Sequence, residues 1–221
     1  MLEDVFKAVD DYIKERVGFE DDILVKVRES SRFSTMPDAN ISPNQGKFLQ
    51  ILAKACNSSN ILEIGTLVGY STIWLARALQ EGGKLITIES EEINYHLACK
   101  NIKEANFHGV VTIKKGKALD ILPKIFENQT FAFDFIFIDA DKPPYLEYLK
   151  WAIKMARKGS IIVLDNVIRN AQILEPNSTD PKVIGVKRLN DYLKNCKEAD
   201  FTILQMVGEK EYDGMAIGIV K

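Results

Sequence analysis

Apolar positions change their spacing once along this chain, near residue 60. Before that point they recur at helical intervals. Val5, Val9, Tyr12 and Ile13 fall on one face of a first helix, and Ile23, Leu24 and Val27 on one face of a second. Residues 30–44 are rich in Ser, Pro, Asp and Asn and read as a loop. Ser42 then has the character of an N-cap, with Pro43 at the first helical position and Gln45 at capping-box spacing. The helix it opens is expected to turn Phe48, Leu49, Ile51 and Leu52 inward. Residues 1–57 are thus expected to form a helical segment without a strand.

From Asn60 onward short apolar runs alternate with helical segments. The runs lie at 61–64, 85–88, 110–113, 133–138 and 161–164, and the helices near 71–80, 92–105, 118–127, 144–157 and 182–197. Strands that are apolar on both faces belong in a sheet covered on both sides. The alternation predicts an α/β domain over residues 58–221, an open and mostly parallel sheet with helices on both faces. Residues 201–207 and 215–220, joined by GEKEYDG, predict an antiparallel pair at the sheet edge. No internal repeat or low-complexity segment interrupts the pattern.

Composition narrows the function classes. The chain has 221 residues, 46% hydrophobic and 27% charged, which excludes a disordered or collagen-like chain. Lys+Arg number 29 against 31 Asp+Glu, so nothing marks a general nucleic-acid binder. A local basic groove would still admit an RNA substrate. Cys56, Cys99 and Cys196 are widely spaced and odd in number, which argues against a disulfide framework or a thiolate zinc site. The charged start carries no secretory pattern and no apolar run is long enough to span a membrane, so a cytoplasmic location is expected.

In a sheet of this kind ligands bind beyond the carboxyl ends of the strands. Those ends carry Glu63, Gly65, Glu89, Gly116, Asp139, Asp141, Asp165 and Asn166. The first strand runs into ILEIGTLVGYST, with glycines spaced G-x-x-x-G, not as the dinucleotide fingerprint G-x-G-x-x-G. An acid two residues before the first glycine repels a pyrophosphate and suits a cation, such as the ammonium and sulfonium of S-adenosylmethionine. The same loop with a solvated Glu63 would be only a strand-to-helix turn. Glu89 ends the second strand about 20 residues past the glycine loop, where an acid accepts ribose hydroxyls. That feature fits NAD as well as S-adenosylmethionine.

Asp139 follows the fourth strand in FDFIFIDADKPPY, and Asp165 and Asn166 follow the fifth in SIIVLDNV. Adjacent strands lie about 4.8 Å apart. Two carboxylates and an amide from neighbouring ends suit Mg²⁺ or Mn²⁺, whereas helix N-caps would account for either Asp alone. Lys142, three residues beyond Asp139, would lie near two positive charges that favour its neutral form, as a general base requires. His96 and His108 lie outside this cluster and read as solvated.

NISPNQGKFL, LEIGTLVGYST, GKALDILP, FIFIDADKPPY and VLDNVIRN, in this order, resemble the metal-dependent class I S-adenosylmethionine O-methyltransferases of the caffeoyl-CoA and catechol type. The resemblance runs from about residue 34 to the C-terminus. It implies a Rossmann-like, seven-stranded methyltransferase fold with an antiparallel C-terminal edge hairpin. It implies cofactor contacts from Ile41, Glu63, Gly65, Thr66, Ser71, Glu89, Ala118 and Asp141. Relatives often have Thr at the position of Ile41 and Asp at that of Glu89. It implies metal ligation by Asp139, Asp165 and Asn166, holding Mg²⁺ or, in its place, Mn²⁺ or Ca²⁺. Lys142 and Asp139 would be catalytic, and Asp139 and Asn170 would contact substrate. The acceptor would be a small phenolic vicinal diol, and the helical segment would contribute substrate contacts and a homodimer interface. No membrane or nucleic-acid partner is implied. The competing readings are the same chemistry on a modified RNA base hydroxyl, an NAD-dependent oxidoreductase, and a non-catalytic nucleotide-binding module.

Overall fold

The structure, a computed structural model, describes residues 2–37, 39–210 and 212–221. Three helices lead: α1 (Leu2–Val17), α2 (Asp22–Ser30) and α3 (Pro43–Ala55). Strands and helices then alternate as β1 (Asn60–Ile64), α4 (Tyr70–Ala76), β2 (Lys84–Glu89), α5 (Glu92–Glu104), β3 (Val111–Lys115), α6 (Ala118–Asn128), β4 (Phe133–Ile138), α7 (Tyr145–Met155) and β5 (Ala156–Asp165). The chain closes with α8 (Pro181–Leu193), β6 (Ala199–Met206) and β7 (Asp213–Val220).

The seven strands order as β3-β2-β1-β4-β5-β7-β6. β1 to β5 pair in parallel, and β7 runs antiparallel between β5 and β6. Period-two alternation divides the buried strand residues between two layers. Phe135, Phe137 and Val163 face α2, α3 and α4, with Leu24, Leu49 and Trp74 in the same core. Ile136, Ile138 and Leu164 face α6, α7 and α8, with Leu122, Leu149 and Val186. At the amino-terminal edge of the sheet, the buried Asp134 accepts the Ser59 and Asn60 amides at 2.8 Å each and pairs with Arg157 at 2.7 Å. The charge there ties β1, β4 and β5 together at the end remote from the candidate site.

Register places that site. Ile64 is paired with both Ile88 and Ile138, and Ile138 with Leu164, so β1, β2, β4 and β5 end level. Each next residue emerges at the same edge. Gly65 is held there with φ +100°, and a Cβ on it would lie 1.9 Å from the Asp139 carbonyl oxygen. The glycine therefore makes room for the neighbouring chain of β4, a closer constraint than approach to a ligand.

The helical segment departs from expectation in two places. The apolar stripe of α1 faces outward, with Val5, Val9 and Tyr12 at 54%, 50% and 57% exposure, while Leu24 and Val27 of α2 are buried. On α3 the Ser42–Gln45 capping box forms as expected and Leu49 is buried, but Ile51 is 56% exposed. Ile51 lies two positions from Leu49, which carries it round to the opposite side of the helix. Three later helices stop short of the expected ends: α4 at Ala76, α7 at Met155 and α8 at Leu193. β5 takes over from α7 without a connecting loop.

Candidate active site

The level strand ends open into a cavity of about 1190 Å³, large enough for a nucleotide-sized ligand and a second small molecule. Its walls include Ile41, Gly65, Thr66, Ser71, Glu89, Ala118, Asp139, Asp141, Lys142, Asp165 and Asn166. Sequence elements more than 100 residues apart thus converge because four parallel strands end in register. The leading segment contributes too, through Asp10 of α1 and Asn44, Gln45 and Phe48 of α3.

Two expected contacts fall elsewhere. Asn170 is exposed and outside the cavity wall, while its neighbour Arg169 is on it. Glu63 is fully buried behind the wall. It accepts hydrogen bonds from the hydroxyls of Ser71 (2.6 Å), Thr72 and Thr87 (2.7 Å). Burial raises its pKa to about 7, against the opposing effect of those hydroxyls. Glu63 therefore sets the hydroxyl of Ser71, which does line the cavity.

Glu89 is organised differently. Its Oε2 accepts the Leu67 amide at 2.7 Å and its Oε1 the Glu91 amide at 2.9 Å. Backbone donors hold a carboxylate on the wall with lone pairs left for ligand hydroxyls. Asp141 Oδ1 accepts the Tyr148 hydroxyl at 2.5 Å. This links the loop after β4 to α7.

The densest charge lies between β4 and β5. Lys142 is buried, and its Nζ donates to Asp139 Oδ1 at 2.9 Å, to the Tyr145 hydroxyl at 2.8 Å and, more distantly, to the Asp165 carbonyl at 3.4 Å. Tyr145 is fully buried, with its oxygen 2.9 Å from the Ile138 carbonyl and 2.7 Å from that of Asp165. Burial and the nearby carboxylates push its phenol pKa well up, so it stays a neutral hydroxyl. The Asp165 carboxyl is raised to about 7, first by burial and then by the charge of Asp139. Among the described residues no group of three or more His, Cys, Asp or Glu is placed to hold a metal. The donor set here is instead two carboxylates and the amide of Asn166. Its excess of negative charge, set against one ammonium, fits a hard divalent cation. Asn166 stands at φ +56°, and its backbone N–H donates to Asp165 Oδ1 at 2.8 Å. Tyr145 was not among the expected site residues. Its only sequence signal is its place three residues after Lys142.

The sheet order and the cavity at the strand ends define a Rossmann-like methyltransferase. The O-methyltransferase TomG from Streptomyces achromogenes, solved with SAM, superposes with a TM-score of 0.97 at 39% identity, over 100% of this chain and 99% of that one. The Bacillus cereus O-methyltransferase, solved with SAH, gives 0.94 at 41% identity over 99% of both chains. A catechol O-methyltransferase of Niastella koreensis is 52% identical over 221 residues, the whole of both chains. The O-methyltransferase family model matches residues 14–216, and the chain belongs to that family.

Proposed function

We propose that the protein transfers the methyl group of S-adenosylmethionine to one hydroxyl of a small vicinal diol, of catechol, caffeoyl or flavonoid type, in a reaction that needs a divalent cation. One observation carries this reading: buried Lys142 and Asp165 meet half-buried Asp139 on the wall of a cavity that also presents Glu89. Relatives solved with SAM or SAH, and one named a catechol O-methyltransferase, support it.

Glu89 accepts the ribose hydroxyls of the cofactor, and Ser71, aligned by Glu63, faces its methionine part. Gly65, Thr66, Ile41, Ala118 and Asp141 complete the cofactor wall. Asp139, Asp165 and Asn166 would hold the cation, Mg²⁺ or alternatively Mn²⁺ or Ca²⁺, which would lower the pKa of a diol hydroxyl. In its neutral amine form Lys142 Nζ would take the hydroxyl proton, and the ammonium so formed has acceptors in Asp139, Tyr145 and the Asp165 carbonyl. The phenolate oxygen forms a bond to the methyl carbon as the carbon–sulfur bond breaks, leaving S-adenosylhomocysteine. Holding both reactants in the cavity supplies much of the rate by orientation.

Residues 1–57 serve acceptor contacts and a homodimer interface in this reading, since α1 carries an exposed apolar face. Three free thiols suit a cytoplasmic setting, and no helix among the described residues is long and apolar enough to cross a membrane. The test is methyl transfer from labelled S-adenosylmethionine to a panel of diols, with Mg²⁺ and with EDTA. Transfer that needs both metal and diol is expected. No transfer to any diol, with S-adenosylhomocysteine still bound, would overturn the acceptor assignment and point to an RNA hydroxyl.

A further inference from the structure

The loop after β5 is rigidly built. Asp213 Oδ1 accepts the amides of Ile168 and Arg169 at 2.9 Å and of Gly214 at 2.8 Å. Asn190 of α8 donates to the Val167 carbonyl at 2.9 Å. Arg169 leaves this frame at φ +56° and lines the cavity. Its Nε is buried with no hydrogen-bond partner among the described residues, and none of the ion pairs between described residues involves it. Two acids on the same wall are engaged elsewhere: Asp213 with the three amides, and Asp10 with Asn44 (2.8 Å) and the Glu209 amide (2.8 Å). Lys182, near the start of α8, adds a second cation to the wall.

A buried donor without a partner is costly, and a carboxylate is the partner that suits a guanidinium best. Taken side-on, a carboxylate engages Nε–H and one Nη–H together once the side chain turns that edge to the cavity. Arg169 lies three residues past Asn166, so their Cα atoms are at most about 11 Å apart. An acceptor whose diol sits at Asp139, Asp165 and Asn166 can therefore reach the guanidinium with a group on the far side of its ring. We propose that Arg169 is the specificity residue for a carboxylate carried by the diol acceptor. The inference rests on the acceptor reading above and names the class within it: dihydroxy aromatic acids.

The test compares 3,4-dihydroxybenzoate with its neutral isostere 3,4-dihydroxybenzamide. The wild-type enzyme is expected to prefer the acid in kcat/KM by roughly 10- to 100-fold, the scale of a hydrogen bond to a charged group. In Arg169→Met the ratio of acid to amide should fall close to one, and Arg169→Lys should restore part of it. Calorimetric titration of the acid into the S-adenosylhomocysteine complex should show the same loss of affinity. Equal turnover of acid and amide by the wild type would overturn the inference while leaving the diol reading standing. So would an Arg169→Met variant that loses both substrates in the same proportion. No transfer to either diol would overturn both.

Discussion

Glu63 and Asp165 show how burial sets chemistry one side chain at a time. Both carboxyls are raised to about 7 chiefly by loss of water. For Glu63 the consequence is a pH-dependent stability. Its folded pKa of about 7 lies above the ordinary glutamate value of 4.5, so the folded state binds the proton more tightly. The stabilisation is complete below about 4.5 and is lost as the pH rises through 7, a change of about 3 kcal/mol. Urea unfolding should therefore show wild type losing stability between pH 5 and 8 and Glu63→Gln losing less by about that amount. Parallel pH profiles would contradict this. Asp165→Ala should abolish metal-stimulated turnover, at least 100-fold, with little change in S-adenosylhomocysteine affinity by calorimetry. The carboxylates were readable in the sequence because strand ends can be located from apolar runs. Tyr145 and Arg169 were not. Their roles depend on a burial and a lack of partners that spacing cannot express, and Asn170, one position further on, points up how sharply a left-handed loop changes what reaches the cavity.

At the scale of elements, the site depends on β1 and β4 ending level and close. Gly65→Ala would force a Cβ against the Asp139 carbonyl and strain a backbone at φ +100°. Backbone strain alone costs about 1–3 kcal/mol. The expected result is a lower thermal midpoint together with lost activity, because the displaced chain carries Asp139. Unchanged stability and turnover would show that the strand ends tolerate separation. Ser42→Ala should cost about 1 kcal/mol through the N-cap of α3, read by the same unfolding measurement. The strands and the capping box were legible because both follow local rules. Helix ends were less so: α7 yields to β5 at Ala156 because pairing with β4 begins there, a tertiary contact that local pattern does not encode.

The molecule as a whole joins a mostly parallel sheet, whose carboxyl edge opens into the cavity, to a helical segment that walls one side of it. The outward stripe of α1 was legible as an apolar face but not as an unburied one, since periodicity reveals a face and not its partner. Sedimentation should give about twice the 25.0 kDa chain mass, and Val9→Glu should shift it to one chain. A wild-type monomer would refute the dimer proposal. The central claim, a metal-assisted methyl transfer to a diol through Asp139, Lys142 and Asp165, is tested most directly by labelled methyl transfer to a catechol acceptor with Mg²⁺ and with EDTA. Labelled product with Mg²⁺ that disappears with EDTA and returns when the metal is restored is the predicted result. Equal transfer in EDTA would contradict the account.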